Sequence, residues 1–451
     1  MSAKRACGLV GCGTVGSGVV RLWNEAGHAP RAPLKTVAVR NPAKARTVDL
    51  AGITLTGDAL ALARDPEIGV VIEATGDAAL AHELALECFR RGKSFVTAGK
   101  EMVARSGPEL EAVAQASGVA FRYEAAVGGA LPVVALLSLG LAPGAVRGFE
   151  GVLNGTCNFI LSHLDRGLSF AEALELATAE GFAESDSRRD TSGRDTAEKL
   201  VILARLCGVR LDPDALAVRG IEGLHPEDAA FGRRRGWSLR LVASFRDEDE
   251  TALASVAPAF VPRDSFLAQA RDEENAVVLD AGSAGTLGLV GRGAGSLPTA
   301  SAVLADVREV LRGGTDRPAA PPRRPRRILT EDAAPARHYV RVDGPEGSCR
   351  SLTTALDAAG LAVDVLTSPR PGRLQVVTAP AETVAVRRVV ASITVRESLV
   401  IPVRDRTPVT PRATAGAVPR SSAAKDAAAP EPVPSHQHEA IEGREPATLT
   451  A

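Results

Sequence analysis

The stretch Cys7-Gly8-Leu9-Val10-Gly11-Cys12-Gly13-Thr14-Val15-Gly16-Ser17 decides the fold of the first part of the chain. An apolar strand over residues 7–10 runs into a glycine-rich turn, and the pattern predicts a helix over 17–24. The glycines permit a tight turn and let a pyrophosphate approach the backbone, while the helix N-terminus supplies free N–H groups. In this context the motif indicates a dinucleotide site, and a glycine turn that serves only packing is the weaker alternative. The predicted cofactor-binding residues here are Gly11, Gly13, Thr14, Val15 and Gly16.

Strand and helix patterns alternate after this motif. Strands are predicted over 36–39, 70–74, 94–97 and 119–123, with a helix over 78–91. This alternation predicts an α/β fold, a Rossmann-type doubly wound parallel sheet. We assign it to residues 1–132, with a helical segment at 297–313 returning to it.

The pattern changes near residue 147. Strands over 148–153 and 238–245, with long helical stretches between them, predict an α+β catalytic and dimerisation domain over 133–296. A Pro-, Arg- and Ala-rich linker follows at 314–337, and then a small βαββαβ, ferredoxin-like unit at 338–404. Residues 405–451 carry no aromatic side chain and are predicted to be a disordered tail.

The second strand of the series ends in Arg40-Asn41. A site selective for NAD usually has an acidic residue there for the ribose 2′-hydroxyl, whereas an arginine suits a 2′-phosphate. NADP is therefore the favoured cofactor and NAD the alternative, and Arg40 can equally be an ordinary surface arginine. Thr75, at the end of the third strand, completes the predicted cofactor-binding set.

The composition excludes several classes of protein. A net charge of -1 disfavours nucleic acid as a partner, and the apolar stretches are too short for a transmembrane helix. The N-terminus does not resemble a signal peptide, and the six cysteines lack CxxC spacing. We expect a cytoplasmic protein with free thiols.

Only seven of the 53 basic residues are lysines, and two of these lie where chemistry is expected. Lys199 follows Asp195 by one turn of a helix predicted over 193–207, and both share a side with apolar residues. A solvent stripe is predicted instead at Arg194, Glu198 and Arg205. Charges on an apolar side need partners or a function. The alternatives are a capping box at Ser192 and a surface ion pair.

Lys100 follows a predicted strand, in Thr97-Ala98-Gly99-Lys100. Strand ends in a doubly wound sheet face the ligand crevice, so Lys100 is placed near the nicotinamide end of a cofactor. A helix-capping surface lysine is the alternative.

Several separated motifs together resemble the homoserine dehydrogenase family over residues 6 to about 310. They are Gly-Cys-Gly-Thr-Val-Gly-Ser-Gly-Val-Val (11–20), Val-Thr-Ala-Gly-Lys (96–100), Tyr-Glu-Ala-Ala-Val-Gly-Gly-Ala-Leu-Pro (123–132), Gly-Val-Leu-Asn-Gly-Thr-Cys-Asn-Phe-Ile-Leu (151–161), Gly-Phe-Ala-Glu-Ser-Asp (181–186), Asp195-x-x-x-Lys199 and Gly-Ala-Gly-Ser-Leu-Pro-Thr-Ala-Ser-Ala-Val (293–303).

The resemblance implies NAD(P)-dependent interconversion of aspartate 4-semialdehyde and homoserine, on the route to threonine, methionine and isoleucine. It implies that Glu184 and Asp190 bind the amino acid. It further implies that Asp195 and Lys199 act in proton transfer, with Lys199 as the proton donor, and that Lys100 assists near the nicotinamide.

The resemblance also implies a sodium ion near the hinge, held mostly by backbone carbonyls at Glu124, Val127, Gly129 and Leu131. It implies a homodimer or homotetramer formed through the second domain. Residues 338–404 are similar to an ACT regulatory domain, which implies threonine as an effector.

The chain departs from the family pattern in three places. Gly99 replaces the usual asparagine before Lys100, Arg240 replaces a lysine, and the turn after Asp343 is altered. Two other functions stay open at this point. One is an aldehyde dehydrogenase with Cys157 as nucleophile, and the other is a non-catalytic NADP-binding sensor with an ACT-like regulatory unit.

Overall fold

Six parallel strands form the N-terminal sheet of the computed structural model, which describes residues 6–25, 32–141, 146–183, 186–248, 250–314, 327–329 and 335–404. In the strand order β3-β2-β1-β4-β5-β6, the chain builds the sheet outward from β1, first on one side and then on the other. This is the Rossmann arrangement. The predicted doubly wound sheet is thus confirmed. Its elements are β1 (Ala6–Val10), α1 (Thr14–Asn24), β2 (Leu34–Ala38), β3 (Thr54–Thr56), α2 (Ala59–Arg64), β4 (Ile68–Glu73), α3 (Ala78–Arg90), β5 (Ser94–Thr97), α4 (Lys100–Ala116) and β6 (Phe121–Arg122).

A mixed sheet and its helices build the middle of the chain. β9 and β10, of twelve residues each, form an antiparallel hairpin at its centre, and β7, β11 and β12 extend the sheet on one side. The elements are α5 (Val133–Ala135), β7 (Gly148–Val152), α6 (Gly155–Asp165), α7 (Phe170–Ala179), α8 (Arg188–Thr191), α9 (Arg194–Leu206), β8 (Ala217–Val218), α10 (Pro226–Arg233), β9 (Trp237–Glu248), β10 (Thr251–Pro262), β11 (Glu274–Asp280), β12 (Thr286–Arg292) and α11 (Ser296–Leu311).

Helix α11 packs against the N-terminal sheet rather than the middle one. Val303, Leu304 and Val307 share a hydrophobic cluster with strand β1 and helix α1. Ser296 at its start donates a hydrogen bond to the Thr14 carbonyl, at 2.7 Å. Helix α11 therefore packs on the first sheet, next to α1.

The C-terminal unit has the predicted βαββαβ order, in an antiparallel sheet of order β17-β14-β16-β15. Its elements are β14 (Arg337–Asp343), α12 (Glu346–Ala358), β15 (Val363–Arg370), β16 (Arg373–Thr378), α13 (Thr383–Ala391) and β17 (Glu397–Val403). This sheet is joined to the middle one, because Val403 pairs with Phe260 of β10. Part of the predicted linker also forms a strand, β13 (Arg327–Leu329), which pairs with β10. The predicted tail lies outside the described residues.

Helix α9 is buried nearly all round, so the predicted solvent stripe is wrong at two of its three positions. Arg194 is exposed, but Glu198 and Arg205 are buried. Arg205 donates to the Val103 carbonyl at 2.7 Å and pairs with Glu111 at 3.2 Å. Both partners lie on α4, a helix that the sequence analysis did not predict, so the Arg205 end of the stripe faces another element instead of water.

Candidate active site

The glycine-rich turn after β1 forms the floor of a cleft of about 1040 Å³. Gly11 has a φ of +93°, and a Cβ there would lie 2.5 Å from the Ala74 carbonyl oxygen. A Cβ at Gly16 would lie 2.1 Å from the Gly11 carbonyl oxygen, so both positions require glycine. At Gly13 a Cβ would meet nothing within 4 Å, so its bare face opens into the cleft. This is the close backbone approach that a dinucleotide pyrophosphate needs.

The cleft contains most of the predicted cofactor-binding residues. Gly11, Gly13, Thr14, Arg40 and Thr75 line it. Val15 instead packs with the hydrophobic cluster under α1, and Gly16 shapes the turn. Helix α1 begins after Gly13, which has no side chain to cap its first N–H groups. Those groups and the positive end of the helix dipole suit an anionic ligand.

One end of the cleft is basic. Arg40, Lys44 and Arg46 all line it in the segment after β2. Arg46 is held in place by donating to the carbonyls of Asn41 (2.8 Å) and Lys44 (2.6 Å). Sequence reasoning named only Arg40, because the other two lie beyond the strand end where the acidic or basic residue of the motif is sought.

A buried polar cluster lies in the middle domain beside the end of β5. Asp195 accepts from Lys199 on one oxygen at 2.8 Å and pairs with Lys100 on the other at 2.7 Å. Lys199 also donates to the Leu153 carbonyl at 2.6 Å. The Lys100 side chain is 39% exposed and that of Lys199 is 9% exposed. The cluster therefore joins a buried ammonium group to one that reaches solvent, across the two domains.

Asn154 completes this cluster and was missed by the sequence analysis. Its amide nitrogen donates to Asp190 at 2.7 Å and to Asp195 at 2.9 Å. Its carbonyl oxygen accepts from the Cys157 backbone and caps helix α6 at 2.7 Å. The sequence signal was a polar residue two positions after β7, but Asn-Gly is also an ordinary turn sequence.

The charges of the cluster are coupled. Burial by itself would raise the pKa of Asp195, but Lys199 and Lys100 outweigh it and hold that pKa well below its ordinary value. The Asp195 carboxylate in turn raises the pKa of Lys100. Burial, and next the neighbouring Asp195, raise the pKa of Asp190. Asp195 is thus ionised at neutral pH and anchors both lysines.

The alternative explanations for these residues fail on geometry. Helix α9 begins after Gly193, and Asp195 binds two lysines and Asn154 instead of forming a capping box with Ser192. Cys157 is fully buried, burial raises the pKa of its thiol well above the ordinary value, and the thiol donates to the Asp190 carbonyl. A thiol in this environment is poorly suited to act as a nucleophile. Glu184 lies outside the described residues.

Gly99 has a local explanation. A Cβ at this position would lie 2.9 Å from a Glu73 carboxylate oxygen and 3.1 Å from the Thr97 hydroxyl. Glu73 is buried and accepts from the Thr97 hydroxyl (2.5 Å) and from the backbone and hydroxyl of Thr75 (2.6 and 2.7 Å). Any larger side chain at 99 requires this carboxylate to move.

The predicted sodium-binding segment lies where the two domains connect. The Glu124 carboxylate accepts from the backbone N–H groups of Val134 and Ala135, at 3.0 and 2.7 Å. A Cβ at Gly129 would lie 2.5 Å from the carbonyl carbon of Gly293. The Glu124 side chain is therefore committed to helix α5, and backbone carbonyls are the oxygens that remain for a cation.

A dinucleotide cleft on one domain, together with a lysine–aspartate–lysine cluster that joins this domain to a second one, defines a two-domain NAD(P)-dependent oxidoreductase. The family model described as "Homoserine dehydrogenase, NAD binding domain" matches residues 11–124, and the model "Homoserine dehydrogenase" matches 132–307. The chain belongs to the homoserine dehydrogenase family. None of its helices in the described ranges combines the length and apolar composition needed to span a bilayer.

Relatives and solved structures agree with this assignment. The chain is 38% identical to the homoserine dehydrogenase of Corynebacterium glutamicum over 323 residues, which cover 68% of this chain and 72% of the relative. It superposes on a homoserine dehydrogenase from Thiobacillus denitrificans with a TM-score of 0.81 at 30% identity, covering 89% of this chain and 98% of the other. A hyperthermophilic archaeal homoserine dehydrogenase in complex with NADPH shares the fold at 21% identity, with a TM-score of 0.58, covering 70% of this chain and all of the other.

Proposed function

We propose that this homoserine dehydrogenase reduces L-aspartate 4-semialdehyde to L-homoserine with NADPH, and that Lys199 donates the proton. The observation that carries the proposal is the buried ammonium of Lys199, held by Asp195, which also pairs with Lys100 just after β5. A bound nicotinamide cofactor supplies hydride to the aldehyde carbon. The Lys199 ammonium stabilises the developing alkoxide and then protonates it.

The remaining residues of the cluster orient the reactants. Asp195 holds Lys199 and Lys100 at 2.8 and 2.7 Å and balances part of their charge. Lys100, at the start of α4, is proposed to assist near the nicotinamide of the bound cofactor. Asp190 and Glu184 are proposed to receive the α-ammonium of the substrate, and Asn154 supports Asp190 in this role.

NADP is proposed as the preferred cofactor because Arg40, Lys44 and Arg46 line one end of the cleft. Three cations there favour a 2′-phosphate over a free ribose hydroxyl. The archaeal relative that binds NADPH shares this fold.

A sodium ion at Glu124, Val127, Gly129 and Leu131 stays a proposal. Backbone carbonyls suit a hard cation, and among the described residues the Glu124 and Leu131 carbonyls each accept one N–H bond, from Val127 and Val133. The ion would stabilise the domain connection, so sodium should raise the melting temperature whether or not substrate is present.

The assignment of residues 338–404 as an ACT-like domain, threonine as an effector, and a dimer or tetramer also stay predictions. The antiparallel β17-β14-β16-β15 order supports the first of these. A cytoplasmic location likewise stays a prediction. A non-catalytic sensor is not favoured, because the family assignment and the complete Lys199–Asp195–Lys100 cluster both indicate an enzyme.

The direct test is NADPH consumption by the purified chain with aspartate 4-semialdehyde, with and without threonine. Succinate semialdehyde, which lacks the α-ammonium, is the matched control and should be a poor substrate. Equal rates with both aldehydes would reject the proposed role of Asp190 and Glu184, and no turnover with either would reject the reaction.

A further inference from the structure

Arg341 is a fully buried cation that joins the C-terminal unit to the middle domain. It lies on β14 and pairs with Asp228 of α10 at 2.9 Å, and both side chains have no exposed surface. Within its own unit it pairs with Asp343 (2.7 Å) and Glu397 (2.9 Å). It also contacts the backbone, since Nη2 donates to the Gly223 carbonyl at 2.7 Å.

Gly223 belongs to a short segment, residues 219–224, that we call the bridging loop. This loop also contacts Thr191. The Ile221 N–H donates to the Thr191 carbonyl at 2.8 Å, and the Thr191 hydroxyl donates to Glu222 at 2.9 Å. A Cβ at Gly220 would lie 2.0 Å from the Thr191 carbonyl oxygen. The loop is therefore in close contact with Thr191 and also accepts a hydrogen bond from Arg341.

Thr191 directly follows Asp190 at the end of α8. The Asp190 carboxylate is held by Asn154 at 2.7 Å, and its backbone continues into the residue that the bridging loop contacts. A shift of the loop therefore moves the Asp190 carboxylate relative to Lys199 and Asp195. A misplacement of about 1 Å in a substrate contact is enough to weaken binding.

We propose that Arg341 is a positioning residue for amino-acid binding, acting from the C-terminal unit through the bridging loop on Asp190. The inference rests on the proposed role of Asp190 as a substrate contact. Arginine suits this position because its planar fork engages Asp228, Asp343, Glu397 and the Gly223 carbonyl together, whereas a lysine has a single point of charge. The substrate site is complete only when this unit is docked.

Two variants test the proposal, one at the Arg341 contact of the loop and one at its Thr191 contact. Arg341→Lys keeps the charge but loses the fork, and Glu222→Ala removes the exposed carboxylate that receives the Thr191 hydroxyl. In homoserine oxidation each should raise KM for homoserine about three- to tenfold, with kcat and KM for NADP within about twofold of wild type. The double variant should show an effect well below the product of the two, because both act on one contact chain.

Matched controls separate this effect from simple destabilisation. Glu227→Ala removes another carboxylate of the same interface, 3.4 Å from Arg373, without touching the loop. Leu352→Ala creates a cavity in the core of the C-terminal unit. Both should leave KM for homoserine unchanged, and an increase in either equal to that of Glu222→Ala would overturn the proposal.

Asp190→Asn distinguishes failure of the inference from failure of the proposed function. If it leaves KM for homoserine unchanged, the substrate role of Asp190 is wrong and the inference falls with it. If it raises KM while Glu222→Ala and Arg341→Lys do not, only the bridging-loop inference is wrong.

Discussion

At the scale of single residues, the centre of this site is one carboxylate shared by two ammonium groups. Asp195 is 3% exposed and would be costly to bury alone, yet Lys199, Lys100 and Asn154 together occupy both of its oxygens. Its ionised state makes it a fixed anchor rather than a proton donor. The mobile proton therefore belongs to one of the lysines, and Lys199 is the one enclosed by protein.

Replacement of Lys199 by arginine should abolish turnover while leaving cofactor binding intact. The guanidinium keeps the charge but donates a proton poorly, and the site that holds Lys199 against the Leu153 carbonyl at 2.6 Å has little room. We expect kcat to fall by about 100-fold or more. Steady-state rates and a fluorescence titration with NADPH measure the two effects.

Lys35→Arg is the matched control for this prediction. Lys35 pairs with Asp65 and Glu67 on the N-terminal sheet, away from the cluster, and should tolerate arginine without loss of rate. A Lys199→Arg enzyme that retains about a tenth of the wild-type kcat would contradict the role of Lys199 as proton donor.

Asn154 should affect catalysis separately from stability. Serine is as good an N-cap as asparagine, so Asn154→Ser should preserve the start of α6. It cannot reach both Asp190 and Asp195, which are 2.7 and 2.9 Å from the asparagine amide. We expect kcat/KM for homoserine to fall about tenfold or more, the size of a hydrogen bond to a charged group.

The control is Asn158→Ser, since Asn158 donates to the Ala270 and Glu274 carbonyls rather than to the carboxylates of the cluster. It should lower the melting temperature with little change in kcat/KM. Equal losses of kcat/KM in the two variants would show that Asn154 acts through packing alone.

At the scale of helices and strands, some features depend on residues within one turn, and others depend on the element that packs against them. The turn between β1 and α1 was predictable because contacts within the turn and with the adjacent strand end require glycine at positions 11 and 16. The faces of α9 were not, because Arg205 lies against α4, about 100 residues away in sequence. Helical periodicity shows which residues share a face, but it does not show what covers that face.

The segment after β2 should determine the choice between NADPH and NADH. Arg40→Ala combined with Lys44→Ala removes two of the three cations at that end of the cleft. Each charge-assisted contact to a phosphate accounts for about tenfold in affinity, so KM for NADPH should rise by about that factor or more. KM for NADH should change little.

Arg64→Ala, on α2 outside the residues that line the cleft, is the control and should leave both KM values as in wild type. Parallel increases in KM for NADPH and NADH in the double variant would argue against a 2′-phosphate contact.

At the scale of the whole molecule, the C-terminal unit is joined to the middle domain by strand pairing and buried ion pairs. Val403 pairs with Phe260, and Arg404 reaches Glu150 and Ser244 of the middle sheet. Tyr339 donates to Asp228 at 2.6 Å. Breaking one partner of such a buried network costs about 3–5 kcal/mol, so the unit and the middle domain should unfold together.

Acid should weaken the C-terminal unit through His338. Burial, and next the Arg219 guanidinium, lower the pKa of His338 from 6.5 to about 4. The unfolded chain therefore binds the proton first. The contribution of His338 to the free energy of unfolding is complete above pH 6.5. It is lost as the pH falls towards 4, by at most about 3 kcal/mol.

Urea unfolding followed by tryptophan fluorescence between pH 4 and 8 measures this loss. His338→Gln should unfold with a flatter pH dependence between 6.5 and 4, whereas His82→Gln, on the surface of α3, should follow the wild type. Parallel curves for wild type and His338→Gln would contradict the assignment.

The sequence alone determined the Rossmann domain, the family, and the candidates Lys100, Asp195 and Lys199, because each depends on residues close together in the chain or on motifs in a recognisable order. Only the tertiary structure decided that Asn154 joins Asp190 to Asp195, that Glu198 and Arg205 are covered, and that Arg341 contacts the bridging loop. These contacts join residues that are distant in sequence. Their energies come from burial and from partners on other elements, and neither leaves a pattern in the local sequence.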